Sequence, residues 1–254
     1  MSTIGIVLAA GKGTRMNHAE VPKVLVPLNG KPLIGHVLET LSLVGLDRII
    51  VVVGYRREQV LEYLRKWFPV VEHVIQEPQR GTAHAVMQAA PVITEMPATL
   101  LIVNGDVPLV RSSTLRDFLA HHRQSRTALS VLTTTVPAPE GYGRVIRSSD
   151  GMLEAIVEEA DLLPNQRAID EINTGIYAAD AEHLFVALQS IEDNNVQGEY
   201  YLTDAVALLR RVGKSVSAWR SDEWQQFLGV NTPEQLRQLE DQIVRNEPLH
   251  STQA

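Results

Sequence analysis

Residues 4–16 read Ile4-Gly5-Ile6-Val7-Leu8-Ala9-Ala10-Gly11-Lys12-Gly13-Thr14-Arg15-Met16. The continuous apolar run predicts a β-strand at 4–9, buried on both faces, that opens into a glycine-rich turn. Two glycines let backbone N–H groups approach a phosphate chain closely. Lys12 and Arg15 add positive charge, Arg15 with a fork suited to bidentate phosphate contact. Two familiar phosphate loops are excluded. A P-loop needs Lys-Ser/Thr after its second glycine, whereas Thr14 follows Gly13. The dinucleotide fingerprint needs a third glycine where Met16 stands. By itself the stretch also fits a plain tight turn.

Outward from this strand, the first half alternates β-branched runs with amphipathic ones. Strands are expected at 48–53, 70–76 and 99–104, and helices at 32–44, 56–68, 82–90 and 112–124. That alternation predicts an α/β domain with a mainly parallel sheet, and ligands in such sheets bind beyond the carboxyl ends of the strands. The second half differs. Runs at 128–135, 144–148 and 153–158, separated by Gly141-Tyr142-Gly143 and Asp150-Gly151, predict an antiparallel insertion. A strand resumes at 172–178, with helices expected at 181–191 and 202–212. The last helix has Thr232 as N-cap, Pro233 at its first position and Gln235 to complete a capping box.

The chain has 254 residues, 44% of them apolar and 21% charged, as expected of a protein with a packed core. It contains no cysteine, which excludes a disulfide scaffold, a thiol nucleophile and a cysteine-ligated metal. The N-terminal apolar run lacks a basic flank and a cleavage site, and no run approaches the ~18 residues of a membrane span. The expectation is a cytoplasmic protein. A net charge of −7 argues against nucleic-acid or anionic-membrane partners. Yet Lys12, Arg15, Lys23 and Lys31 face only Glu20 near the N-terminus, as a small polyanion would require. The histidines show no zinc-like spacing.

Further motifs sharpen the reading. Val21-Pro22-Lys23-Val24-Leu25 follows the glycine-rich turn. Later come Gln76-Glu77-Pro78-Gln79-Arg80-Gly81-Thr82-Ala83-His84-Ala85, Asn104-Gly105-Asp106-Val107-Pro108-Leu109, Gly141-Tyr142-Gly143-Arg144 and Ile156-Val157-Glu158-Glu159. Glu171-Ile172-Asn173-Thr174-Gly175-Ile176, Gly198-Glu199-Tyr200-Tyr201-Leu202-Thr203-Asp204 and Gly229-Val230-Asn231 complete the series. In this order they resemble the sugar-1-phosphate nucleotidyltransferases, and most of all the uridyltransferase domain of bifunctional N-acetylglucosamine-1-phosphate uridyltransferases. The resemblance spans about residues 3–240.

The resemblance implies a Rossmann-like, GT-A-like three-layer α/β/α fold with a mostly parallel central sheet and a small antiparallel sugar-side lobe. It implies one domain over 1–245: a nucleotide-binding half at about 1–110, a sugar-binding half at about 111–231 and a C-terminal helix at 232–245, with a tail at 246–254. UTP and a sugar 1-phosphate are the implied partners, nucleotide binding first, and Mg²⁺ the implied cofactor. Homo-oligomerisation is left open. Arg15, Lys23 and Asp106 match the catalytic positions. Leu8, Ala9, Ala10, Gly11, Gly13, Gln76, Gly81 and Thr82 match nucleotide-binding ones, the last three at the uracil edge. Gly143, Glu158, Asn173, Glu199 and Tyr201 match sugar-binding positions, while Asp106 and Asn231 match the metal-binding pair.

Two departures bear on the expectation. The family usually has an aromatic residue before Gly-Asp, where this chain has Asn104, which loosens the choice of sugar. The bifunctional enzymes also continue into hexapeptide repeats that transfer an acetyl group. None follows here, so neither acetyl transfer nor a trimer built on such repeats is expected. The alternatives are another NTP and sugar-1-phosphate pair, such as dTTP or UTP with glucose 1-phosphate, and a non-catalytic regulator that binds nucleotide-sugars.

Overall fold

A computed structural model of the chain describes residues 2–13 and 20–246; Arg15 lies outside the described residues. Strict alternation along the central strands sets the architecture. In β1 (Ser2–Ala9), Ile4 and Ile6 enter one core and Val7 and Ala9 the other. The same split recurs in β4 (Arg48–Val53), with Ile50 and Val52 against Val51 and Val53, and in β6 (Ala98–Asn104), with Leu100 and Ile102 against Leu101 and Val103. A sheet apolar on both faces requires helices on both. One face receives α3 (Thr82–Met87), α5 (Ala181–Leu188) and α6 (Asp204–Arg211). The other receives α1 (Leu33–Ser42), α2 (Arg57–Trp67) and α4 (Ser112–Ser125). The expected three-layer α/β/α arrangement is present.

With β5 (Glu72–Ile75), β7 (Leu129–Thr135), β10 (Glu171–Asp180) and β11 (Val216–Ser221), the sheet runs in the order β11-β7-β10-β6-β1-β4-β5. Along this path the pairs are parallel except those of β10, which is antiparallel to both β6 and β7. The chain runs from β1 through β4 to β5 on one side and then returns to place β6 on the other side of β1. A crevice therefore opens where β1 and β6 diverge, the usual ligand position in such sheets. The antiparallel insertion is the hairpin of β8 (Arg144–Arg147) and β9 (Leu153–Val157), attached by Ile172 opposite Arg144. Arg147 fastens it, donating to both oxygens of Glu171 at 2.7 and 2.6 Å.

Helix α7 (Pro233–Asn246) packs Leu239 over Leu28 and Leu33, beside the short ladder of β2 (Pro27–Leu28) and β3 (Lys31–Pro32). Its capping box is formed: Gln235 N–H donates to Thr232 Oγ1 at 3.2 Å, and Gln235 Oε1 accepts from Thr232 N–H at 3.2 Å. The sequence reading missed β11. Its Ser217-Ala218-Trp219 alternates weakly and lies at the sheet edge, so only pairing with distant β7 makes it a strand. Among the described residues no helix is long and apolar enough to cross a membrane.

Buried beneath β7, His122 Nδ1 lies 2.8 Å from Ser130 Oγ. Burial, with His121 and Arg123 nearby and Asp180 opposing, pushes its pKa down to about 4. The unfolded chain protonates this ring near pH 6.5, so the folded state loses stability as pH falls from there towards 4. The loss reaches roughly 3 kcal/mol. Urea unfolding at pH 7 and pH 5 should show a drop in the wild type that is much smaller in His122→Asn. Parallel losses would clear His122 of the effect.

Candidate active site

The crevice is built from strand ends. Beyond β1, Ala10 O accepts from Tyr55 N–H at 3.1 Å, which fixes the start of the glycine-rich loop. Beyond β6, Gly105 N–H donates to Leu8 O at 2.9 Å and delivers Asp106 to the floor. Asp106 O in turn accepts from Val230 N–H at 3.1 Å, bringing the segment before α7 alongside. Asn231 is held by the helix cap itself, donating its N–H to Gln235 Oε1 at 2.7 Å. Asp106 and Asn231 are 125 positions apart in sequence (231 − 106) and adjacent in space.

Lys23 closes this arrangement from the short 3₁₀ turn Lys23–Leu25. Its ammonium pairs with Asp106 Oδ2 and donates to Asn231 Oδ1 at 2.6 Å. Only 14% of the Lys23 side chain and 17% of the Asp106 side chain are exposed, so water screens the pair weakly. Gly13 makes room for it. At φ +60°, a Cβ there would lie 2.6 Å from Lys23 Cβ.

Two cavities meet at Asp106. The larger, about 840 Å³, is lined by Leu8, Ala9, Ala10, Gly11, Lys12, Gly13, Lys23, Gln76, Gly81, Thr82 and Glu199, among others. The smaller, about 260 Å³, is lined by Asn104, Gly143, Glu158, Asn173 and Asn231, among others. Leu8, Thr82, Asn104, Asp106, Gly141 and Glu158 border both.

At the far end of the larger cavity, buried Gln76 donates through Nε2 to Gly81 O at 2.9 Å and lies 3.1 Å from His84 Nδ1. With its nitrogen so engaged, Gln76 presents its Oε1 as an acceptor. His84 thereby orients this amide. The Gln76 amide nitrogen can only donate, so Nδ1 accepts, and burial, aided by Arg80, lowers the pKa of the ring. Thr82 accepts Leu202 N–H at 2.9 Å through its hydroxyl oxygen, which retains a proton to donate.

In the smaller cavity, Gly143 O accepts Asn173 N–H at 2.9 Å, tying the hairpin to β10. Glu158 accepts from Thr203 Oγ1 at 3.1 Å. Burial chiefly pushes its carboxyl above the usual range; the Thr203 bond opposes this, and Asp204, Asp161 and Glu199 add to it. Asn104 rests its amide against Gly175. Glu199 borders the larger cavity, its backbone held in both directions by Asn195 at 3.2 and 2.6 Å. Tyr201 is not brought into the cleft. Its hydroxyl donates to Gln197 Oε1 at 2.9 Å, and its ring lines a separate cavity beyond Glu158. Sequence reasoning missed Thr203, which reaches Glu158, and Tyr177 and the Tyr142 side chain, which line the smaller cavity. Tyr142 and Thr203 do lie within stretches quoted above; Tyr177 follows one directly.

The donor set suits a hard cation. Among the described residues no three His, Cys, Asp or Glu side chains converge. Instead one carboxylate and one amide oxygen already share a single positive charge, the Lys23 ammonium. Such a pair suits an ion that keeps waters and takes further oxygens from a phosphate chain.

Comparison with known proteins agrees with this arrangement. The model of the MobA-like NTP transferase domain matches residues 5–158. The bifunctional protein GlmU of Geobacillus thermodenitrificans is 42% identical over 244 residues, covering 94% of this chain and 52% of that protein. The chain spans about half the length of the curated relatives it matches. Among solved structures, a Bacillus anthracis protein assigned as a glucose-1-phosphate thymidylyltransferase, in complex with sucrose, superposes with a TM-score of 0.78 at 20% identity, covering 98% of both chains. A UDP-glucose pyrophosphorylase bound to UDP-glucose superposes with a TM-score of 0.72 at 18% identity, covering 96% of this chain and 99% of that one. The glycine-rich turn, the Asp106 floor and the family match converge: this chain belongs to the MobA-like NTP transferase domain family and is a nucleotidyltransferase.

Proposed function

We propose that the chain transfers a uridylyl group from UTP to N-acetylglucosamine 1-phosphate, forming UDP-N-acetylglucosamine and releasing pyrophosphate. The observation that carries this reading is the meeting of two cavities at one charged junction, Lys23 with Asp106 and Asn231. A nucleotide fits the larger side and a sugar the smaller, with their phosphates at the junction. The choice of uridine and N-acetylglucosamine is supported by similarity to the proteins named GlmU. The acceptor left on Gln76 suits the N–H of a pyrimidine edge.

In the proposed reaction a sugar-phosphate oxygen attacks the α-phosphorus of UTP. A new P–O bond forms there, and the bond from that phosphorus to the α,β-bridging oxygen breaks, releasing pyrophosphate. The attacking oxygen is already anionic at neutral pH, so no side chain need remove a proton. What the chain must supply is alignment and neutralisation of two mutually repelling anions. Lys23 contributes positive charge at the junction, with Arg15 assigned the same role from its sequence match. Mg²⁺ is the proposed cofactor. Asp106 and Asn231 would hold it, and when bound it supplies charge neutralisation and orients phosphate oxygens.

Pyrophosphate release with Mg²⁺ tests the reading, with UTP, dTTP, CTP and ATP offered against the 1-phosphates of N-acetylglucosamine, glucose, galactose and mannose. The expected result is turnover with UTP and N-acetylglucosamine 1-phosphate that exceeds every other pair by at least about tenfold, the discrimination one well-placed contact provides. Preference for another pair would move the substrates and keep the chemistry. Silence with every pair would refute the proposed activity.

A further inference from the structure

The sugar-side wall contains a phenol that none of the proposed chemistry uses. Tyr177 follows the bulge in β10 between Asn173 and Ile176, is only 2% exposed, and lines the smaller cavity. Its neighbours fix the role of each atom. Gly175 N–H can only donate, and it lies 3.0 Å from Asn173 Oδ1, which identifies the oxygen end of that amide. Asn173 Nδ2 therefore faces Tyr177 and donates to its hydroxyl at 2.7 Å. The phenol oxygen is the acceptor in this pair. Among the described residues its own proton has no acceptor, and Asn173 retains one uncommitted amide hydrogen. An apolar side chain of the same size would fill the core equally well but would leave Nδ2 without its partner.

We infer that Tyr177 is a positioning residue that locks the Asn173 carboxamide with its nitrogen towards the sugar, and thereby sets affinity for the sugar phosphate. The inference rests on the assignment of the smaller cavity to the sugar. It assigns Tyr177 to recognition and not to phosphoryl transfer. Burial raises the phenol's pKa well above its ordinary value, so it remains a neutral hydroxyl across the working pH range.

The test is a double-mutant cycle of Tyr177→Phe and Asn173→Ala. In Tyr177→Phe, the KM for the sugar phosphate should rise about 3- to 10-fold, the effect of one hydrogen bond. The KM for the nucleoside triphosphate and kcat should stay within about twofold, and the melting temperature should barely move. In the Asn173→Ala background, Tyr177→Phe should add nothing to the sugar KM, because Tyr177 acts through Asn173. An unchanged sugar KM in Tyr177→Phe, or a fully additive effect in the double variant, overturns the inference. If the wild type turns over no pair, the proposed activity fails separately. The same cycle is then read as the Kd of N-acetylglucosamine 1-phosphate by calorimetry, and an unchanged Kd in Tyr177→Phe is the overturning result.

Discussion

Replacing Lys23 with methionine is expected to lower turnover by about 10²–10³-fold, the effect of removing one preorganised charge from a phosphoryl-transfer site. Methionine keeps an unbranched stem against Gly13, so the change isolates the ammonium from its packing. The same substitution leaves the Asp106 carboxylate and Asn231 Oδ1 without the cation they share. Uncompensated negative charge at a weakly hydrated position favours any cation that can replace it. Mn²⁺ binding without substrate, followed by calorimetry, should therefore tighten in Lys23→Met even as turnover collapses. Those two readouts moving in opposite directions would identify Lys23 as the charge that guards the oxygens proposed to bind the metal. Turnover within about threefold of wild type would remove Lys23 from the catalytic set.

The second large effect is structural in origin. Gly81 has φ +104° and ψ 176°, a region that residues with a Cβ essentially do not occupy. A Cβ at this position would lie 2.5 Å from Tyr200 O and 2.7 Å from Tyr200 N. Those backbone atoms cannot yield cheaply: Tyr200 N–H donates to Arg80 O at 2.8 Å, and Tyr200 O accepts from Ala83 N–H at 2.9 Å. Gly81→Ala must open this clasp, and Gly81 O is also the acceptor that holds Gln76. We expect a loss of about 2–4 kcal/mol in urea unfolding, seen as a fall of roughly 5–15 °C in melting temperature. The KM for the nucleotide should rise more than that for the sugar phosphate. A variant within about 0.5 kcal/mol of wild type, the usual range for harmless surface changes, would show that the clasp gives way without cost.

Much of this molecule can be read locally. The strand at 4–9 and the Thr232–Gln235 cap depend on neighbours in sequence, so their residue types announce them. The position of Asp106 at the end of a buried strand was likewise legible. Features made by distant pairing were not. Nothing in Val216–Ser221 specifies a strand until β7 lies beside it, and nothing near Lys23 shows that its ammonium will reach both Asp106 and Asn231. Tyr201 illustrates the converse. A matching motif placed it with the sugar, but the loop directs its ring into the next cavity while Thr203, two residues on, reaches Glu158. A motif fixes where the backbone goes, and packing decides which side chain of a run faces the ligand.

The reversal of β10 reaches beyond geometry. A strand that opposes its neighbours brings its beginning, not its end, to the ligand edge of the sheet, so Asn173 reaches the site near the start of the strand. The residues that border the smaller cavity from this direction are encoded well downstream of Gln76 and Gly81, which line the larger one. Asn173, Thr174 and Gly175 border the smaller cavity and not the larger, so on the proposed reading substitutions there should shift the sugar preference with little effect on the nucleotide preference.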